Sequence, residues 1–278
     1  MKRTIAFLSV LVMLLLPLSL QGQTRRALVI GLGQQMDPAW GKINGDKDVP
    51  YVMTMLKTCG YADIKTLVNQ QATKSGILSA FKSLTSKCRP GDIIYIHFSG
   101  HGQLVTDVDG DESDGWDESW ISYDAYRKPC KKDRGEKHLI DDEVNASLTA
   151  ISKKIGPTGK MLVVVDACHS GDSSRGDDMD ETVRGVFDKF EISGKKKTKG
   201  KPLTVSWLTL GACKSSQLNQ EYKSPQVGKL TYALYNVIQQ GSVTMSKVFN
   251  LMHQYRSRIP QSPVLTGSVS YTISDVLR

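Results

Sequence analysis

Residues 93–98 read Ile-Ile-Tyr-Ile-His-Phe and residues 161–165 read Met-Leu-Val-Val-Val, two continuous apolar runs that each stop at a turn of small residues. Runs of this length, rich in β-branched residues and bounded by turn formers, predict strands buried on both faces of a parallel sheet. Similar but shorter patterns predict strands at 27–30, 64–68 and 204–210. Between them the apolar spacing changes to the helical period. Helices are predicted over 46–58, from a Thr73 cap through Ile77, Phe81 and Leu84, over 142–155 before Gly156-Pro157, and over 230–239 and 246–256. Strands alternating with helices predict an α/β fold with a mostly parallel, helix-covered sheet. Two stretches, 103–137 and 172–202, carry charge rather than periodicity and are expected to be loop insertions, the second a mobile excursion.

The first residues are Met1-Lys2-Arg3-Thr4, then an apolar stretch over 5–20, then Gln21-Gly22-Gln23. A basic start, an apolar core shorter than a membrane span and small or polar residues after it predict a signal peptide over 1–22. The remainder, 23–278, is expected to be one α/β domain with insertions, secreted or periplasmic, with no membrane association once the signal is removed. Lys2 and Arg3 account for two of the net charge of +8, leaving +6. Much of that excess sits in two Lys/Arg-rich loops without the aromatic platforms of single-strand binders, so no nucleic-acid partner is expected. Five cysteines, an odd number, leave at least one thiol unpaired in an exported chain.

Candidate chemistry lies where the two strongest strands end. The first runs into Ser99-Gly100-His101-Gly102 and the second into Asp166-Ala167-Cys168-His169-Ser170-Gly171. Open α/β sheets put their active sites beyond the carboxyl ends of the strands. Adjacent strands would bring His101 within reach of Cys168. An imidazole that takes the thiol proton makes a potent nucleophile, so His101 is the expected base and Cys168 the expected nucleophile. The amides of Gly102 and Cys168 are candidate oxyanion donors. His97 lies inside its strand and is read as structural. The Gly31-Leu32-Gly33 turn lacks the third glycine of a dinucleotide site and reads as a tight strand-to-helix turn.

Those two turn motifs resemble the catalytic motifs of metacaspases, cysteine peptidases of the caspase-like clan, and the acidic stretch from Asp109 to Glu118 extends the likeness. The resemblance implies a caspase-hemoglobinase fold, a six-stranded sheet flanked by helices, and a monomer. Residues two apart on a strand share a face. Asp166 therefore lies on the side of Cys168 and Ser99 on that of His101, where a buried carboxylate attracts Arg or Lys before the cut. The resemblance adds Asp48 to this substrate pocket, although Gly45-Asp46-Lys47-Asp48 departs from the family pattern. It also implies calcium, held by Asp117, Asp141 and Asp142, with Asp172 or Asp177 as the candidate fourth ligand.

The expected function is therefore a secreted cysteine endopeptidase acting on proteins or peptides at basic residues. Its own exposed basic loops would be substrates, with Lys137, Arg175, Arg184 and Lys197 as candidate self-cleavage positions. Two other classes compete: a non-proteolytic binding or scaffold protein on the same fold, and a metal hydrolase using His97, His101 and Cys168.

Overall fold

The computed structural model describes residues 23–107, 110, 112, 114–168, 183–186, 188–192, 205–254 and 260–278. The expected signal peptide over 1–22, the calcium candidates Asp172 and Asp177, and the self-cleavage candidates Arg175 and Lys197 lie outside the described residues. Six strands form the central sheet: β1 (Arg25–Gly31), β2 (Asp63–Val68), β3 (Ile93–Ser99), β7 (Lys160–Asp166), β8 (Leu208–Gly211) and β11 (Val264–Thr266). Their order is β11-β8-β7-β3-β1-β2, parallel throughout except for β11. The mixed α/β architecture and the six-stranded, mostly parallel sheet agree with expectation.

Side chains alternate across the sheet, so consecutive residues of one strand feed different cores. Ala27 and Val29 of β1, with Tyr95 of β3 and Leu162 of β7, pack under α1 (Gly45–Thr58), α4 (Lys229–Gln239), α5 (Met245–Gln254) and α6 (Ile273–Val276). Leu28, Ile30, Ile94, Ile96 and Val163 pack on the other face against α2 (Lys74–Lys87) and α3 (Asp141–Ile155). Thr73 caps α2 by accepting a hydrogen bond from the Gly76 amide at 3.1 Å. Gly156 ends α3 at a φ of 66°. Among the described residues no helix is long and apolar enough to cross a membrane, and all five cysteines are free.

Three expectations are corrected. The stretch 103–137 is not simply loop, because it holds β4 (Gly102–Thr106) and β5 (Trp116–Ile121), which form an antiparallel sheet with β6 (His138–Ile140). Buried Gln103, Asp117 and Ser119 lie on these strands, and polar residues at buried positions hide the alternation. The strand expected over 204–210 begins only at Leu208, where β8 first gains β7 as a neighbour. Finally, part of the expected excursion is packed: Arg184 and Phe190 are wholly buried. The remaining short strands, β9 (Glu221–Tyr222) and β10 (Val227–Gly228), pair with each other beside the site.

The two-sided core makes a direct prediction. Leu28→Ala, at a fully buried position of β1, should lower unfolding free energy by about 2–5 kcal/mol in urea titrations. Phe249→Ala, at a position 43% exposed, should change it by well under about 1 kcal/mol.

Candidate active site

Parallel pairing of β3 with β7 sets Ser99 opposite Asp166. His101 and Cys168, each two residues further along, are therefore carried off the sheet side by side. The turn between them is tight. A side chain on Gly102 would put its Cβ 1.8 Å from the Cys168 carbonyl oxygen, so glycine is required there. The His101 imidazole stacks on Trp40 at 5.2 Å between centroids, and its Nε2–H donates to the Gly41 carbonyl at 2.7 Å. A carbonyl can only accept, so Nδ1 is the unprotonated nitrogen. Nδ1 is buried and makes no hydrogen bond. Burial, foremost, pulls the His101 pKa down to about 4, with Arg184 and Arg127 contributing in the same direction. Cys168 is 3% exposed, and its Sγ accepts a hydrogen bond from the Asn219 amide at 3.0 Å. In this conformation the polar contacts of Sγ run to Asn219 rather than to His101.

Asp48, Ser99 and Asp166 come together although they lie on α1, β3 and β7. The Ser99 hydroxyl donates to Asp48 at 2.7 Å. The Asp166 carboxylate accepts from the Asn219 side-chain amide at 2.7 Å, from the Thr231 hydroxyl at 2.6 Å and from the Thr231 amide at 2.9 Å. A cation fills the space between them. The Arg184 guanidinium lies 2.6 Å from Asp48, 3.2 Å from Asp166 and 3.0 Å from Glu221, all wholly or almost wholly buried. Burial raises the Asp48 pKa, opposed by Arg184 and reinforced by Asp166. Burial also works to raise Asp166, but Arg184 and the bonds from Thr231 and Asn219 outweigh it and hold that carboxyl below its usual range. The guanidinium is driven the other way: its three carboxylates overcome burial and raise its pKa.

The backbone around Arg184 is equally constrained. Val183 bridges Gln220 in antiparallel fashion, and the Arg184 amide donates to the Asn219 carbonyl at 3.0 Å. The Arg184 carbonyl accepts from the Cys168 amide at 2.7 Å. Of the two expected oxyanion donors, only Cys168 is bonded to it; Gly102 is not. Gly185 follows with a φ of 153°, and a Cβ on it would lie 3.0 Å from Cys168 Sγ. The Arg184–Gly185 peptide bond thus rests against the thiol.

His97 is a structural link. Its two ring nitrogens meet the Tyr95 hydroxyl and the Ser99 hydroxyl, both at 2.9 Å, which leaves no lone pair for the metal-hydrolase alternative. Burial holds its pKa at about 4. A separate carboxylate cluster joins β5 to the start of α3. Burial first, then repulsion from Asp117, Asp142, Glu118 and Glu112, pushes the Asp141 pKa up to about 8. Its Oδ1 is buried without a hydrogen bond. Among the described residues, however, no group of three or more His, Cys, Asp or Glu side chains is already arranged to hold a metal ion. Lys137 is tethered by its backbone to Asp133 and Ser122 and by its side chain to Asp124, far from the pocket in bonding terms. Arg184 is the one self-cleavage candidate among the described residues that meets the acidic pocket, and it is buried rather than exposed. Trp40, Asn219, Glu221 and Thr231 escaped the sequence reading, since they carry no motif and reach the site only through the fold.

A family model described as the metacaspase, peptidase C14 domain matches residues 25–174. Metacaspase-1A of Aspergillus niger is 34% identical over 158 residues, covering 53% of this chain and 36% of its own length. Metacaspase-1 of Ajellomyces capsulatus is 35% identical over 158 residues, covering 53% and 40%. The match thus spans less than half the length of these curated relatives. Two crystal structures share the fold: a Geobacter sulfurreducens protein with a TM-score of 0.64 at 21% identity, covering 92% of this chain and 97% of that one, and caspase-1 of Spodoptera frugiperda with a TM-score of 0.60 at 11% identity, covering 89% and 88%.

The two depressed histidines set a pH dependence. The folded chain keeps His97 and His101 neutral down to about pH 4, whereas the unfolded chain takes up protons near 6.5. Stability should therefore be full above pH 6.5 and fall as pH drops toward 4, by on the order of 3 kcal/mol per histidine. Urea unfolding at stepped pH checks this; a stability unchanged from pH 7 to pH 4.5 would contradict it.

Proposed function

Because this chain belongs to the metacaspase peptidase C14 family, we propose that it is a cysteine endopeptidase that cuts after Arg or Lys and that its own Arg184–Gly185 bond is a substrate. One observation carries the reading: an arginine fills the acidic pocket while its carbonyl is bonded to the Cys168 amide. A basic residue supplied by a peptide would meet the same Asp48 and Asp166, and an acidic one would be repelled by them.

The chemistry follows from the positions of the groups. His101 Nδ1 takes the Cys168 proton, and Sγ forms a bond to the carbonyl carbon. The oxyanion so formed keeps the hydrogen bond from the Cys168 amide, which strengthens as charge develops. Collapse of this intermediate breaks the C–N bond, and His101 returns the proton to the leaving amine. Water, activated by the same imidazole, then splits the thioester, restoring the thiol and leaving a carboxylate on the basic residue. Trp40 and the Gly41 carbonyl hold the imidazole in the required tautomer. Export as a secreted or periplasmic enzyme belongs to the same proposal, supported by the basic-then-apolar pattern of the first residues.

Calcium is its regulatory part. The crowded carboxylates of Asp117, Asp141 and Asp142, with a buried Asp141 oxygen that makes no hydrogen bond, suit a hard cation that takes oxygen ligands. The described residues supply part of a shell; Asp172 lies outside them. Bound calcium would supply positive charge where carboxylates repel one another, at the base of the sheet that carries Gly102.

Cys168→Ala and His101→Ala should each lose several orders of magnitude in hydrolysis of an Arg-ending fluorogenic peptide. Asp166→Asn should lose on the order of 2–5 kcal/mol of transition-state binding. On incubation the wild type should yield a new end after Arg184, read by mass spectrometry, while Cys168→Ala stays whole; wild-type cleavage after Asp instead of Arg would refute the specificity. For calcium, a concentration about tenfold above Kd should stabilise the wild type by roughly 1.4 kcal/mol in thermal unfolding. Asp141→Ala with Asp142→Ala should abolish that gain and the activity difference between calcium and chelator, and an unresponsive wild type would remove calcium from the proposal.

A further inference from the structure

Beyond Arg184 the chain continues along a surface that the catalytic reading leaves unexplained. Val186 packs into an apolar cluster of Trp40, Ile121 and Ala125. The Asp188 carboxylate pairs with Arg127 at 2.9 Å, and its carbonyl accepts from the Gln103 side chain at 2.8 Å. Phe190 is wholly buried, its ring tilted by 44° against the His138 ring at 4.1 Å between centroids. Its amide donates to the Leu104 carbonyl at 2.8 Å, and its carbonyl accepts from the Thr106 amide at 3.1 Å. Phe190 therefore pairs in parallel with Val105 at the edge of β4, on the side not occupied by β5, as the first rung of an added strand would. Strand addition to a sheet edge gives affinity through the backbone and specificity through the sockets that receive the side chains.

From these contacts we infer that the β4 edge is a recognition groove for the residues that follow the cut, filled here by the chain's own segment. This rests on reading Arg184 as the residue before the cut. Counted from there, the first position must be small, because a Cβ on Gly185 would crowd Cys168. The second position takes an aliphatic side chain, the fourth an acid facing Arg127, and the sixth an aromatic against His138. The substrates implied are proteins carrying a basic residue followed by Gly, with an aliphatic, an acidic and an aromatic residue at those spacings. The groove also explains how the segment holds its place. Phe190 anchors it after the Arg184–Gly185 bond and Arg184 before it, which leaves the peptide bond against the thiol.

The test separates the groove from the catalysis. A fluorescein-labelled peptide with the sequence of residues 185–192 is titrated by anisotropy into the full chain carrying Cys168→Ala, Asp188→Ala and Phe190→Ala, in which the chain's own segment has lost two anchors. Saturable binding is expected. Alanine at the aromatic position of the peptide should weaken it about tenfold or more, the scale of an exposed buried aromatic. Lysine in place of its aspartate should weaken it about two- to fivefold, as for a partly exposed ion pair, and adding Arg127→Glu to the chain should reverse that preference. Equal affinity for the parent and alanine peptides, or a charge preference that ignores Arg127→Glu, would overturn the groove. Should the triple variant fail to fold, the wild-type chain gives the same answer through kcat/KM for internally quenched Val-Arg-Gly-Val-Phe-Asp-Lys-Phe against its counterpart with alanine at the aliphatic, acidic and aromatic positions. A higher value for the parent supports the groove, and equal values reject it. Selective binding without any hydrolysis after Arg would instead reject the peptidase reading while leaving the groove intact.

Discussion

A guanidinium cannot shed its proton inside a protein, so a wholly buried arginine must bring carboxylates with it. Arg184 meets that constraint with Asp48 from α1, Asp166 from β7 and Glu221 from β9. Three carboxylates surround one cation; Ser99, Thr231, Asn219 and the Gly228 amide donate further hydrogen bonds into the cluster, and burial raises the pKa of Asp48 and Glu221. Removing one partner of a buried ion pair costs about 3–5 kcal/mol, far more than the pair adds over an apolar replacement. The cluster is therefore a poor device for stability. Its geometry is satisfied only when a basic side chain is in place.

The pocket and the nucleophile are aligned by backbone, not by side-chain choice. The register that sets Ser99 opposite Asp166 also carries His101 and Cys168 off the sheet together. A one-residue slip would turn every side chain of the strand to the other face, and the two helix-covered cores make such a slip prohibitive. The cost of burying both faces of β3 and β7 in apolar contacts thus secures the position of two reactive side chains. Trp40, stacked on His101 and bonded through its indole N–H to the Ala125 carbonyl, fixes the imidazole from outside the sheet. Asn219 does the corresponding work for the sulfur and for Asp166 at once.

Backbone pairing recurs on both sides of the Arg184–Gly185 bond. Ahead of it, Val183 and Arg184 pair with Asn219 and Gln220; behind it, Phe190 pairs with β4. Backbone hydrogen bonds thus hold Val183 and Arg184 on one side and Phe190 on the other, and the bond between Arg184 and Gly185 lies between them. The side chains meet surroundings of different character: acid around Arg184, apolar around Val186, basic at Arg127 and aromatic at His138.

The sequence by itself determined the α/β architecture, most helix bounds to within one or two residues, and the identity of His101, Cys168, Ser99 and Asp166 as site candidates. These are local signals: apolar runs, a Thr73 cap, a Gly156 stop and small-residue turns at strand ends. It missed β4 and β5, whose buried positions include Gln103, Asp117 and Ser119, because a polar residue at a buried position breaks the pattern that betrays a strand. It also read Arg184 as an exposed basic residue, since charge in an aperiodic segment ordinarily means solvent. Only the tertiary structure decided otherwise. Asp48 lies 136 positions from Arg184 in the chain, and a carboxylate at that distance leaves no trace in local composition. The favourable energy of seating a guanidinium exists only once strands and helices have brought Asp48, Asp166 and Glu221 to one place.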